Sequence, residues 1–169
     1  MNIQFENRYF ASNQMLSEYV HKIICRKLKL AGIIISAVNL ALLIFTLHNN
    51  GDALSLVLGL CVLTGLLVVI FVPILTLKQF KESNRRIHND KISQSVIRFG
   101  DNISISEGTF SLSIEYSQIL KTYILKHSYV LMFGKNNGIL VDPKHFTIGN
   151  ADDFIGFIES KMKYSKQSD

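Results

Sequence analysis

Two long apolar stretches, Leu30 to Leu47 and Ala53 to Leu77, stand almost back to back, and neither contains a formally charged residue. Only His48-Asn49-Asn50-Gly51-Asp52 separates them. A bilayer core about 30 Å thick is crossed by roughly 20 predominantly apolar residues in helical form, so runs of this length read as a membrane hairpin. Within lipid each span has to satisfy its backbone hydrogen bonds internally, which makes both runs α-helical and puts the link 48–52 at the far surface. The first run is the shorter, and Leu28 with the stem of Lys29 extends it if the ammonium reaches the headgroups. Pro73 lies near the end of the second, where a local kink is expected.

Charge sets the expected orientation. Arg26, Lys27 and Lys29 precede the first span and Lys78, Lys81, Arg85 and Arg86 follow the second, while the link carries one acid, Asp52, and no Lys or Arg. By the positive-inside rule both termini face the cytoplasm, as in a multi-pass protein of the plasma (inner) membrane. The chain has 18 Lys and Arg against 13 Asp and Glu. Because much of that excess flanks the spans, it points to a membrane surface rather than to nucleic acid. These basic residues form a candidate collar for anionic lipid headgroups. The first apolar run begins late, lacks an Ala-x-Ala-like exit and meets a second span at once, so it is read as a retained anchor.

Inside the hairpin, Gly32, Ser36 and Asn39 share a helix face, and Ser55-x-x-x-Gly59 and Cys61-x-x-x-Gly65 are small-residue spacings that let helices approach. An interhelical hydrogen bond from Asn39 is the expected way of satisfying its amide. Cys25 and Cys61 are isolated, with no disulfide or metal spacing.

Residues 1–29 are read as a cytoplasmic segment in two parts. Ile3-Gln4-Phe5-Glu6 alternates as a short strand does. Ser12 or Asn13 then caps a helix whose apolar positions, Met15, Leu16, Tyr19, Val20, Ile23 and Ile24, recur at three and four and lead into the first span. After Leu77, residues 78–94 form a basic stalk without Gly or Pro, expected to prolong the second helix.

From about Ser95 the period of the apolar residues becomes two. Ile103 and Ile105 alternate with serines, Glu107-Gly108 makes a tight turn, and Phe110, Leu112 and Ile114 alternate again. Further strands are expected at 119–125, 129–133 and 139–141, with Asn137-Gly138 as a turn. Strands this short and regularly spaced predict a small antiparallel barrel or sandwich. The period then returns to helical: Asn150 is a cap, Asp152 and Asp153 suit the positive end of the dipole, and Phe154, Ile155, Phe157, Ile158 and Met162 make an apolar face. The domain is thus read as 95–163, closed by a terminal helix, with 164–169 as a tail. Pro143 is expected to turn the chain after a strand and let Phe146 enter the core.

Enzyme templates find little purchase. His21, His48, His88, His127 and His145 are dispersed, and neither H-E-x-x-H nor a nucleophile elbow occurs. Gly134-Lys135-Asn136-Asn137-Gly138 lacks the Gly-Lys-Ser/Thr ending of a phosphate loop and falls between strands. Lys144 and His145 are read as surface residues. No catalytic residue, cofactor or metal is expected.

Two spans followed by Val96 to Phe146 and a terminal helix resemble the YcxB-like membrane proteins of bacteria. The matching pieces are Tyr116-Ser117-Gln118-Ile119, which open a strand, and Asp142-Pro143-Lys144-His145-Phe146, the step toward the last helix. The resemblance implies an α+β membrane protein, with a two-helix transmembrane hairpin and a small antiparallel pleckstrin-homology-like barrel or sheet capped by a C-terminal helix. It implies no enzymatic activity. The function expected is a membrane-tethered binding or scaffold module, whose partners are the bilayer, anionic headgroups, an unidentified protein and a further copy of the chain. Two alternatives stay open: an immunity or protection factor against membrane-active peptides such as bacteriocins, and an accessory subunit of a membrane transporter or enzyme.

Overall fold

Both apolar runs form helices, and each helix is longer than its run. In the computed structural model, which describes residues 2–49, 51, 53–87 and 93–167 (without the side chains of 84, 86, 87 and 164–167), α2 spans Arg26–His48 and α3 spans Ala53–Ile87. α1, Asn13–Tyr19, precedes them. The helix continues through Pro73 and ten positions past Leu77, so the stalk is helical to Ile87; residues 88–92 lie outside the described ones. The chain falls into two units, residues 19–83 and residues 1–18 with 84–169.

In the first unit, the end of α2 is closed by backbone bonds from Asn49 and Gly51 to the Thr46 carbonyl, with Gly51 at φ 38°. That left-handed residue terminates the helix as a glycine does at little cost. The two helices then meet where side chains are smallest. A Cβ on Gly32 would lie 2.8 Å from Val69 Cγ2, and one on Gly65 would overlap Ser36 Oγ. Ser36 Oγ, buried, donates to the Val62 carbonyl at 3.4 Å, and Cys25 Sγ lies 3.7 Å from Thr76 Oγ1. The expected interhelical bond from Asn39 is not formed: its Nδ2 donates to Ile35 O, one turn back on its own helix, at 2.8 Å. Nor do all the small-residue spacings meet a partner, since Gly59 has open space where a Cβ would be and Cys61 is exposed.

α1 is capped as its sequence suggests, with Ser12 Oγ accepting the Met15 amide at 3.2 Å. It does not run straight on into α2. A π-helical turn, Val20–Ile24, and a non-helical Cys25 at φ −88°, ψ 0° intervene.

The second unit is built on two antiparallel sheets. Its strands are β1 Phe5–Tyr9, β2 Ser95–Phe99, β3 Ile103–Glu107, β4 Phe110–Ile114, β5 Lys121–Ile124, β6 Tyr129–Met132, β7 Gly138–Val141 and β8 Phe146–Ile148. β4-β3-β2-β1-β8 make one sheet and β5-β6-β7 the other. Among the described residues the two sheets do not join, so of the barrel or sandwich expected from the strand spacing it is the two-sheet form, not a closed barrel, that is found. A 3-10 turn, Tyr116–Gln118, lies between β4, an edge of one sheet, and β5, an edge of the other.

β1 comes from the segment that sequence alone sets apart as residues 1–29, and it begins two residues later than the alternation suggested. It pairs along its whole length with β2, from Phe5↔Phe99 to Tyr9↔Ser95, and with β8 on its other side. Phe5, Asn7 and Tyr9 point inward, as period two requires. Tyr9 Oη donates to the Leu140 carbonyl of β7, tying the sheets together, and Tyr116 Oη donates to Gly100 O at 3.1 Å. Burial pushes both phenols above their ordinary pKa, so they serve as hydrogen-bond donors.

The helix α4, Ala151–Gln167, fills the space between the sheets. Asn150 Oδ1 accepts the Asp153 amide at 2.8 Å, the expected cap. Phe154 and Ile158 are fully buried, and the Phe154 ring packs against Phe99 at 4.8 Å, Phe146 at 5.0 Å, Phe5 at 5.5 Å and, stacked, Tyr129 at 6.1 Å. One side chain therefore touches both sheets. Phe146 enters this cluster as foreseen.

Candidate membrane-surface site

The antiparallel pairing of α2 with α3 decides where the basic residues lie. Because Cys25 sits beside Thr76, and the Tyr19 and Phe80 rings are 6.0 Å apart, the start of α2 and the outgoing part of α3 share one end of the hairpin. That end carries Arg26, Lys27, Lys29, Lys78, Lys81 and Arg85. Arg26, Lys27, Lys78 and Arg85 are exposed, and Lys29 and Lys81 are half-buried. Lys78, Lys81 and Arg85 follow at three and four, one stripe along α3. The side chain of Arg86 lies outside the described residues.

The two halves of this collar differ physically. Arg85, in the last turn of α3, complements the helix dipole, which does not reach Lys81 or Lys78. Cations in the first turn of α2 oppose it, since an N-terminus favours anions. Arg26, Lys27 and Lys29 therefore gain nothing from the dipole of their own helix. They also act on a neighbour: His21, partly buried, has its pKa lowered by burial and then by the charge of Lys29.

In the sheet unit, Glu6 and Asp142 find their partners within the fold. Glu6, buried on the outward face of β1, accepts Arg8 Nε at 2.7 Å, Arg98 Nε at 2.8 Å and the Thr147 hydroxyl at 2.8 Å. The Arg8 hydrogen bond above all, with those of Arg98 and Thr147, outweighs desolvation and holds its pKa at about 2. A carboxylate so held is a poor proton carrier at neutral pH and is best understood as a structural ion cluster. Asp142 takes the Lys144 amide at 2.9 Å and faces His145 Nδ1 at 2.9 Å, so an acid sits where a phosphate-binding pair would need none. Among the described residues no three His, Cys, Asp or Glu side chains converge as metal ligands.

One contact that sequence reasoning missed joins α1 to the turn between β5 and β6. The Glu18 carboxylate accepts the backbone amides of Lys126 at 3.2 Å and His127 at 2.9 Å, and lies 3.2 Å from His127 Nδ1. Nothing local announces it, because the partners are over a hundred positions apart.

With this geometry described, comparison with known proteins adds one finding. Residues 100–158, from the end of β2 into α4, match the family described as YcxB-like protein. The two apolar helices that precede them are long and apolar enough to cross a membrane, which fits the hairpin. No curated protein and no solved structure matches the chain.

Proposed function

We propose, from the YcxB-like match and the two apolar helices, that the chain is a membrane-tethered, non-catalytic binding module of the bacterial plasma membrane. The hairpin supplies location, both termini are cytoplasmic, and the sheet unit, pleckstrin-homology-like in character, presents a surface to a protein partner or to lipid headgroups.

The observation that carries this reading is the pairing of β1 with β2. Residues 5–9 and 95–99 are adjacent strands, yet both apolar helices lie between them in the chain. Strands that share hydrogen bonds occupy the same compartment, so the intervening chain crosses a bilayer an even number of times. Two spans meet that condition, and the basic collar at the end opposite the link favours the cytoplasm as the shared side.

Cysteine accessibility in intact cells tests it. In a background lacking Cys25 and Cys61, Asn49→Cys should react with an impermeant thiol reagent, and Lys135→Cys should react only after lysis. Labelling in the opposite sense overturns the orientation, and labelling at neither or both positions in intact cells overturns the hairpin.

A further inference from the structure

The sheet unit leaves two apolar side chains largely in water on one strand: Leu120 and Ile124, 62% and 66% exposed, flank the edge strand β5. Along the chain their surroundings are basic, and the nearby Glu18 carboxylate is turned to the Lys126 and His127 amides. From Tyr116 to Val141 the sequence holds Lys121, Lys126 and Lys135 and no Asp or Glu. In the other sheet, by contrast, Arg8 and Arg98 are paired with Glu6. We infer that the β5–β6 hairpin is a second membrane contact, resting on an anionic lipid surface with Leu120 and Ile124 in the interface and Lys121 and Lys126 among the headgroups. This rests on the membrane-tethered reading above.

Three observations select lipid as the occupant. Exposed aliphatic groups beside lysines, on a stretch of chain with no Asp or Glu of its own, match a surface whose headgroups are anionic and whose next layer is apolar. The hairpin is also tied to the segment of chain that precedes the first span: Glu18 holds the Lys126 and His127 amides, and α2 begins at Arg26 in the sequence. Strand addition by a protein is opposed at this edge, because β5 is only four residues long and begins with a lysine, the usual device against edge pairing.

The test uses the full chain, without Cys25 and Cys61, in vesicles of phosphatidylcholine with or without phosphatidylglycerol. An environment-sensitive dye is placed at Ile124→Cys or, as a reporter of the span, at Leu75→Cys, and bromine-bearing acyl chains serve as quencher. Ile124 is exposed, so the label leaves the core intact. Both labels should be quenched in phosphatidylglycerol vesicles, and the Ile124 signal should fall in phosphatidylcholine alone and at high salt. Lys121→Gln and Lys126→Gln should each lower the ratio of docked to undocked hairpin about fivefold, while leaving the Lys126 amide free to bind Glu18. An Ile124 label that stays in water while Leu75 is quenched overturns the lipid contact and leaves the hairpin standing. A label shielded from water but not quenched means a protein covers the strand, and also overturns it. Absence of quenching at Leu75 overturns the membrane-tethered reading itself.

Discussion

Asn7 and Asp142 exchange a pair of hydrogen bonds: Asn7 Nδ2 donates to the Asp142 carbonyl at 2.7 Å, and Asn7 Oδ1 accepts the Asp142 amide at 3.0 Å. A fully buried side chain thereby does for the end of β7 what a neighbouring strand would do. Asn7→Val should leave both backbone groups without a partner in the interior. A loss of about 2 to 5 kcal/mol is expected, read as chemical denaturation of the purified protein in detergent. A change within half a kcal/mol would mean that water replaces the amide.

Glu6 makes stability depend on acid. Its folded pKa, about 2, lies below the ordinary 4.5, so the stabilisation is complete above that ordinary value and is lost as pH falls through the window from 4.5 toward 2. Glu6→Gln should be less stable than the native chain near neutrality, and the gap between their unfolding midpoints should narrow on acidification. Parallel curves across that window would show that the arginines do not depend on this carboxylate.

Gly149 is expected to tolerate no side chain. It adopts φ 76°, and a Cβ there would overlap the Phe5 ring. Gly149→Ala should therefore displace β1 as well as strain the turn into α4, at a cost above the ~1 kcal/mol of a simple glycine replacement. Faster amide exchange in both β1 and β8 is the signature to seek.

The hairpin makes a comparable demand on Gly65. Because a Cβ there meets Ser36 Oγ and comes within 3.3 Å of the Gly32 carbonyl, Gly65→Val should separate α2 from α3. Spin labels at Leu30→Cys and Leu75→Cys should then report a longer or broader distance distribution than in the parent. Gly59→Val, facing open space, is the matched control and should change nothing.

Phe154→Ala should remove the contact shared by the two sheets and destabilise the unit by about 3 to 5 kcal/mol. Near-ultraviolet circular dichroism, sensitive to the Tyr129 stack, follows it directly.

What could be read in advance was local. The turn at Glu107-Gly108, with Gly108 at φ 57°, and the serine alternation on either side specify the β3–β4 hairpin within a dozen residues. Asn150 and Ser12 announce their helices through the amides they cap. The apolar runs were legible for the same reason, since their signal is length and composition. What stayed hidden depends on partners far away. Residues 3–6 suggested a strand, but nothing in them says that β1 belongs between β2 and β8, or that Glu6 meets Arg98. Strand spacing likewise could not reveal whether the sheet closes, because spacing does not say which edge strands pair. Asn39 had two ways to satisfy its amide, and its own Ile35 carbonyl was the nearer one. Of the collar, both the basic residues and their gathering at one end were plain from sequence, because a two-span hairpin brings its outer flanks together.

The place of β1 between β2 and β8 also couples biogenesis to folding. β1 is synthesised first and waits for partners that emerge about ninety and a hundred and forty residues later, after both apolar helices have left the ribosome. Until β1 is in place, β2 and β8 have open edges and no neighbour between them. The completeness of the sheet thus depends on a strand separated from its neighbours by the whole of α2 and α3.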